Sequence, residues 1–183
     1  MEDFINWEGQ ILLWLQNHVR ADWLTPIMKG ITYLGEMGGI WVILSVLFLI
    51  IPKTRKLGLV MTCSLALTFV VNNVVIKNVV ARIRPYENVE NLRRIIAAQS
   101  DFSFPSGHTG ISFAGAVVLL RETPAKIGIP AIILAFLIAF SRLYVGVHYL
   151  TDVLGGAIIG TISALLCCFF YHKITGSKDK IFK

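Results

Sequence analysis

The chain has 183 residues, 55% of them hydrophobic and only 15% charged, with a mean hydropathy of +0.69. A soluble domain of this length cannot hide so much apolar surface, so composition points to a single polytopic membrane domain over residues 1–183. The formal charge of +6 does not signal nucleic-acid binding, because the basic residues fall between apolar runs and at the C-terminus instead of forming one stripe.

In chain order, residues 4–19 set Phe4, Ile5, Trp7, Ile11, Leu12, Trp14, Leu15 and Val19 among polar residues. That spacing predicts an amphipathic helix lying in the membrane interface. The run opens on Glu2 and Asp3, unlike the basic start of a cleaved signal peptide. Residues 22–37 form a weak spanning segment, punctuated by Asp22, Lys29 and Glu36. Stronger spans are expected at 38–52, 57–77, 107–121, 127–147 and 149–172. The expected fold is all-α: a polytopic bundle of six transmembrane helices plus the interfacial helix. Trp7, Trp14, Trp23 and Trp41 suit an aromatic belt. Cys63, Cys167 and Cys168 lie in apolar runs without a C-x-x-C pattern and read as packing residues. Gly155, Gly156, Ala157 and Gly160 form a small-residue stripe that lets helices approach closely. His18 and His172 read as interface residues.

Alternating spans would put Lys53-Thr54-Arg55-Lys56, the loop of Arg121 and Lys126, and the tail of Lys173, Lys178, Lys180 and Lys183 on one side. The positive-inside tendency makes that side cytoplasmic, so the expected location is the cell membrane, multi-pass, with the C-terminus inside. The loop from about residue 80 to 105 and the stretch 141–152 then meet on the extracytoplasmic face.

Three polar clusters converge there. An ionisable group at the centre of a lipid-embedded helix costs about 2.5 to 3.5 kcal/mol, so each is a functional suspect. In "KNVVARIRP", Lys77 and Arg84 are seven residues apart and would share a helix face, with Pro85 ending the helix. Alone, the pair reads equally well as snorkelling cations, and Arg82 reads as an interfacial anchor. In "FPSGHTG", Ser106 and Gly107 open a helix whose free N–H groups form an anion site within reach of His108. Alone, this is an ordinary capped helix start. In "SRLYVGVHYLTD", His148 and Asp152 are spaced i, i+4, so the carboxylate can accept Nδ1–H and leave Nε2 free as nucleophile or base. Alone, this pair and Arg142 equally suit a buried ion pair. Together, two arginines, a lysine, a helix start and two histidines describe a phosphate pocket.

The motifs K-x6-R-P, P-S-G-H and S-R-x5-H-x3-D, within residues 77–152, resemble in order and spacing the signatures of the type 2 phosphatidic acid phosphatase superfamily. That family includes membrane lipid phosphatases, glucose-6-phosphatase, bacterial acid phosphatases and vanadium haloperoxidases. The compact length is similar to bacterial phosphatidylglycerophosphate and undecaprenyl pyrophosphate phosphatases. The resemblance implies a metal-independent hydrolase without cofactor, acting on lipid phosphates or diphosphates in the bilayer. It implies that His148 attacks phosphorus to form a phosphohistidine, that Asp152 orients it, and that His108 serves as acid and then base. Lys77, Arg84, Arg142, Ser106 and Gly107 would hold the phosphoryl oxygens. Two alternatives share the pocket: a phosphotransferase to a lipid or sugar acceptor, and a non-catalytic lipid-phosphate transporter or sensor. The second has no need of His108, His148 and Asp152 together. Haloperoxidase activity is disfavoured in a membrane-bound chain.

Overall fold

The computed structural model describes residues 2–177 and 179–182. The side chains of Phe4 and Ile5 lie outside the described ones, and Lys178 and Lys183 outside the described residues. Among the described residues every regular element is helical. Helix α1 covers Glu2–His18 and α2 covers Leu24–Leu34. The chain then bends at Met37 and Gly38, both in left-handed backbone, before α3, Gly39–Ile50. Helix α4, Arg55–Thr68, widens into a π-helical stretch at Phe69–Ile76 and tightens again as α5, Lys77–Val80. A short helix α6, Pro85–Asn88, sits in the following loop, before α7, Gly107–Glu122, α8, Ala125–Tyr144, and α9, Leu150–Thr175.

The core is organised around α7, which is buried along most of its length and packs against α4, α8 and α9. Its own small residues, Gly110, Ala114, Gly115 and Ala116, allow this. Helix α9 comes closest. A Cβ on Gly156 would lie 2.5 Å from the Ser106 carbonyl oxygen, and one on Gly160 would overlap the carbonyl of Gly110. The small-residue stripe read from the sequence is thus the seam between α9 and α7. The outer faces carry Ile43, Ile50, Ile133, Phe136, Ile158 and Phe169 exposed, as a lipid-facing surface requires.

By length and apolarity, three described segments can cross a membrane: Arg55–Asn88, Ala125–Tyr144 and Leu150–Thr175. The pair α2 and α3, bent by 47°, makes a fourth if it is counted as one span. The expected separate span at 22–37 has a different placement. Ala21 N and Thr25 Oγ1 bond the Tyr144 hydroxyl, and Thr32 Oγ1 accepts from Arg142. Both ends of α2 therefore meet the last turn of α8, so α2 lies along one end of the bundle. Helix α1 sits at that same end: Glu8 contacts Arg82 and Thr151, and Gln16 donates to the Asn91 carbonyl. Trp7, Trp14 and Trp23 are exposed, as an interfacial belt requires, but Trp41 is not. It is fully buried and donates to Ser112 Oγ at 2.9 Å, because α3 turns that face toward α7.

Replacing Gly160 by Val should force α9 off the α7 backbone and destabilise the protein by about 1–3 kcal/mol. Gly30→Ala, where an added Cβ meets nothing within 4 Å, should not destabilise it. Thermal unfolding in detergent compares the two, and equal midpoints would contradict the proposed seam.

Candidate active site

Lys77, Arg84, Arg142, His108 and His148 come together at the end of the bundle where α1 and α2 lie, lining one cavity of about 670 Å³. The route differs from the expected shared helix face of Lys77 and Arg84. The helix stops at Val80 because Ala81 adopts φ 48°, and Arg84 follows in extended backbone. The two side chains meet through a third residue, Asp101. Its carboxylate lies 2.5 Å from Lys77 Nζ and 2.5 Å from an Arg84 guanidinium nitrogen. Partial burial works against the charge of Asp101, but the hydrogen bond and charge of Lys77, joined by Arg84, prevail and hold its pKa down at about 2.

The cations are not equally free. Arg84 spends its guanidinium on the carbonyls of Asp101, Phe102 and Val147 as well as the Asp101 carboxylate. Arg142 donates from Nη1 to Thr32 at 2.6 Å, while its buried Nε and Nη2 have no hydrogen-bond partner among the described residues. Arg142 and Lys77 therefore keep N–H groups to offer an anion, and Arg84 chiefly frames the site.

His148 stands just before α9, not within it, because Tyr149 is extended and serves as the N-cap of α9. The i, i+4 pair with Asp152 still forms across that turn, with Nδ1 3.4 Å from Oδ2. The imidazole is fully buried, and burial pushes its pKa down to about 3, so it is neutral at physiological pH. Arg84 Nη1 approaches the other ring nitrogen, Nε2, at 3.4 Å. A guanidinium only donates, so this geometry favours an unprotonated Nε2, with the proton on Nδ1 facing Asp152. Asp152 Oδ2 also accepts from Ser103 Oγ at 2.5 Å and from Tyr149 N at 2.8 Å. The carboxylate thus caps α9 and faces the imidazole at once.

His108 occupies the first turn of α7, with Nε2 3.6 Å from a Glu36 oxygen and no hydrogen-bond partner among the described residues. Ser106 caps the helix as expected, accepting from Thr109 N and Thr109 Oγ1. That hydroxyl is committed to the cap, and Ser106 is not part of the cavity wall, whereas Gly107 is. The amides of Gly107 and His108 begin the helix and have no intrahelical carbonyl to serve. Away from the charges the cavity continues between Val42, Val46 and Leu49 of α3 and Leu65 and Ala66 of α4, with Phe69 just beyond it. Among the described residues no group of three or more His, Cys, Asp and Glu could hold a metal ion.

The five side chains that sequence reasoning grouped do line one cavity, but it missed what holds them. Asp101 sits five residues before Ser106 in "SDFSFPSGH" and had a signal only in being an acid beside the second cluster. Arg82, expected as an interfacial anchor, instead pairs with Glu8 and with Asp152, since the chain leaves the helix at Ala81 and turns it inward. His172, expected at the interface, hydrogen-bonds Glu122 through Nε2 at 3.0 Å at the opposite end of the bundle.

The family model described as the PAP2 superfamily matches residues 55–175. An undecaprenyl-diphosphatase of Sulfolobus acidocaldarius is 38% identical over 122 residues, covering 67% of this chain and 59% of that protein. The phosphatidylglycerophosphatase B of Bacillus subtilis is 30% identical over 174 residues, covering 88% and 82% respectively. The crystal structure of Aquifex aeolicus LpxE superposes with a TM-score of 0.77 at 27% identity, over 87% of this chain and 93% of that one. The matched span runs from the first turn of α4 to the last residue of α9 and takes in every charged side chain of the cavity except Glu36. On that coverage, the chain belongs to the PAP2 superfamily.

Proposed function

We propose that the protein is an integral membrane phosphatase that removes the terminal phosphate of lipid phosphates or diphosphates through a phosphohistidine on His148. The observation that carries this reading is one cavity that joins two environments. Lys77, Arg84, Arg142, His108 and His148 line one part, and apolar side chains of α3 and α4 line the rest. A phosphate headgroup suits the first and an acyl or prenyl chain the second. The names of the relatives, which act on prenyl diphosphates and phospholipid phosphates, support the same substrate class.

The chemistry follows from the atoms present. Neutral His148 attacks phosphorus through Nε2 while Nδ1–H faces Asp152, which balances the imidazolium charge as the N–P bond forms. The bond from phosphorus to the leaving oxygen breaks, and His108, which becomes an imidazolium only with the negative charge of the phosphate bound beside it, gives that oxygen its proton. Lys77, Arg142 and the amides at the start of α7 meet the charge on the non-bridging oxygens. Water then attacks the phosphohistidine, His108 takes its proton, the N–P bond breaks, and inorganic phosphate leaves with His148 restored. The positive charge needed by the phosphoryl group comes from side chains, so the reading includes no metal.

We read α3, entered from α2 at the bundle end, as one crossing, and α4 to α5, α7, α8 and α9 as the others, in place of the six spans expected from hydropathy. Lys53, Arg55, Lys56, Arg121 and Lys126 then share the cytoplasmic side with the C-terminus, and the cavity opens on the extracytoplasmic face.

His148→Ala should abolish phosphate release from farnesyl diphosphate in detergent. Asp152→Asn should retain the nucleophile and lose roughly 100-fold in kcat. Turnover near wild type in a folded His148→Ala protein would overturn the mechanism.

Long-chain substrates should be used far better than glucose 6-phosphate, because each buried CH₂ contributes up to ~0.8 kcal/mol. Val46→Trp, which fills the apolar part of the cavity, should erode that preference. The comparison is kcat/KM in one detergent, and equal values for both substrates would exclude a lipid phosphatase.

For orientation, Ser100→Cys in intact cells should react with an impermeant thiol reagent, while Ser177→Cys should be protected until the membrane is opened. The reverse labelling would put the site in the cytoplasm.

A further inference from the structure

Arg82 and Glu8 play no part in the mechanism above, yet they are bonded to each other and to Thr151 and Asp152 beside His148. Glu8, on α1, is fully buried. One of its oxygens lies 2.6 Å from Arg82 Nη2. The other accepts from Thr151 N and Thr151 Oγ1, both at 2.8 Å. Arg82 Nη1 in turn lies 2.7 Å from Asp152 Oδ1 and donates to Thr151 Oγ1 at 2.8 Å. The guanidinium rests 3.9 Å over the ring of Tyr149, the residue between His148 and α9. None of Glu8, Arg82, Ser103 or Asp152 lines the cavity.

This geometry divides the Asp152 carboxylate. Arg82 takes Oδ1, which leaves Oδ2 for Ser103, the Tyr149 amide and His148 Nδ1. An arginine so close would by itself draw charge from the carboxylate that must steady a developing imidazolium. Glu8 returns a negative charge on the far side of the guanidinium, giving an alternating line of acid, base and acid that ends at His148. Glu8 also bonds the first turn of α9 through Thr151, so it fixes the helix that carries Asp152.

We propose that Glu8 and Arg82 are positioning residues for phosphoryl transfer: they hold the Asp152 carboxylate against His148 and keep its charge available. The N-terminal helix, which lies outside the 55–175 family match, thereby contributes to turnover. The inference rests on the phosphohistidine reading and extends it.

The test is phosphate release from farnesyl diphosphate by the full chain in detergent, for wild type, Glu8→Gln, Arg82→Lys, Asp152→Asn and the double variant Glu8→Gln/Asp152→Asn. Glu8→Gln keeps shape and loses charge; Arg82→Lys keeps charge but reaches only one of the two carboxylates. Each should lower kcat roughly 10-fold with KM within about threefold of wild type, since neither touches substrate. The double variant should fall no more than about twofold below Asp152→Asn alone, because Glu8 acts through that carboxylate. A purely structural role, which removes a fraction of folded enzyme, would instead multiply the two losses. A Glu8→Gln protein with wild-type kcat, or multiplied losses in the double variant, overturns the inference and leaves the phosphohistidine reading intact. A wild type that releases no phosphate, or a His148→Ala protein that still does, overturns that reading and this inference with it.

Discussion

The Asp101 carboxylate, 2.5 Å from both Lys77 and Arg84, is the contact that lets buried cations share one cavity. Lys77, Arg84 and Arg142 are all almost wholly removed from solvent. Each loses several kcal/mol of hydration on burial, and each repels the other two. The carboxylate between Lys77 and Arg84 offsets part of that repulsion. Asp101 is about half exposed, so it is the member of this cluster with most access to water. Lys77 carries three N–H donors. An anion entering the cavity would meet an ammonium already oriented by a carboxylate, so this part of the cavity is preorganised.

A second carboxylate plays a comparable part beside the His148 imidazole. Asp152 caps α9, accepts from Ser103 and Arg82, and faces His148. Each of those partners comes from a different stretch of chain: the turn before α9, the loop before α7, and the extended segment after α5. The position of one imidazole therefore depends on agreement among three loops. Ser106 N donates to the Asp152 carbonyl at 2.9 Å, so the start of α7, which carries His108, is tied to the start of α9. His148 and His108 are therefore held to one another by backbone, not only by their side chains.

The helical class, the packing stripe on α9 and the five cavity side chains were legible in the sequence because each rests on a local pattern. Apolar runs, glycine spacing and ionisable residues interrupting apolar segments can all be seen in a short window. What stayed hidden depends on single backbone torsions or on distant partners. The left-handed φ of Ala81 turns Arg82 from a surface anchor into a partner of Asp152, and nothing about an alanine announces it. Glu8 looks like one more polar position on an amphipathic helix until the helix is docked against Thr151, 143 residues away in sequence. The placement of α2 along the bundle end was hidden for a related reason. Its apolar residues suit a membrane span, and only the contacts of Thr25 and Thr32 with the last turn of α8 reveal its direction.

The distribution of charge also explains why the site lies at helix ends and on this one end of the bundle. Asp152 is in the first turn of α9, where the helix dipole is positive, and Arg142 is in the last turn of α8, where it is negative. Both placements are favourable, each by about 0.3–1 kcal/mol and by up to ~2 kcal/mol in partly buried geometry. The start of α7, with its two unserved amides, presents the same positive end to the cavity where a phosphate would sit. Two helix starts and one helix end thus meet at a single level, so chain direction itself selects where an acid, a base and an anion can be stabilised. At the opposite end the polarity of α7, α8 and α9 is reversed. There the buried Glu122, in the last turn of α7, has the unfavourable sign for its helix terminus. His172 and the Ile181 amide compensate it through hydrogen bonds. The charged lining of the cavity could be assembled at one end of this bundle because three helix termini there already carry the polarity that an acid, a cation and an anion need.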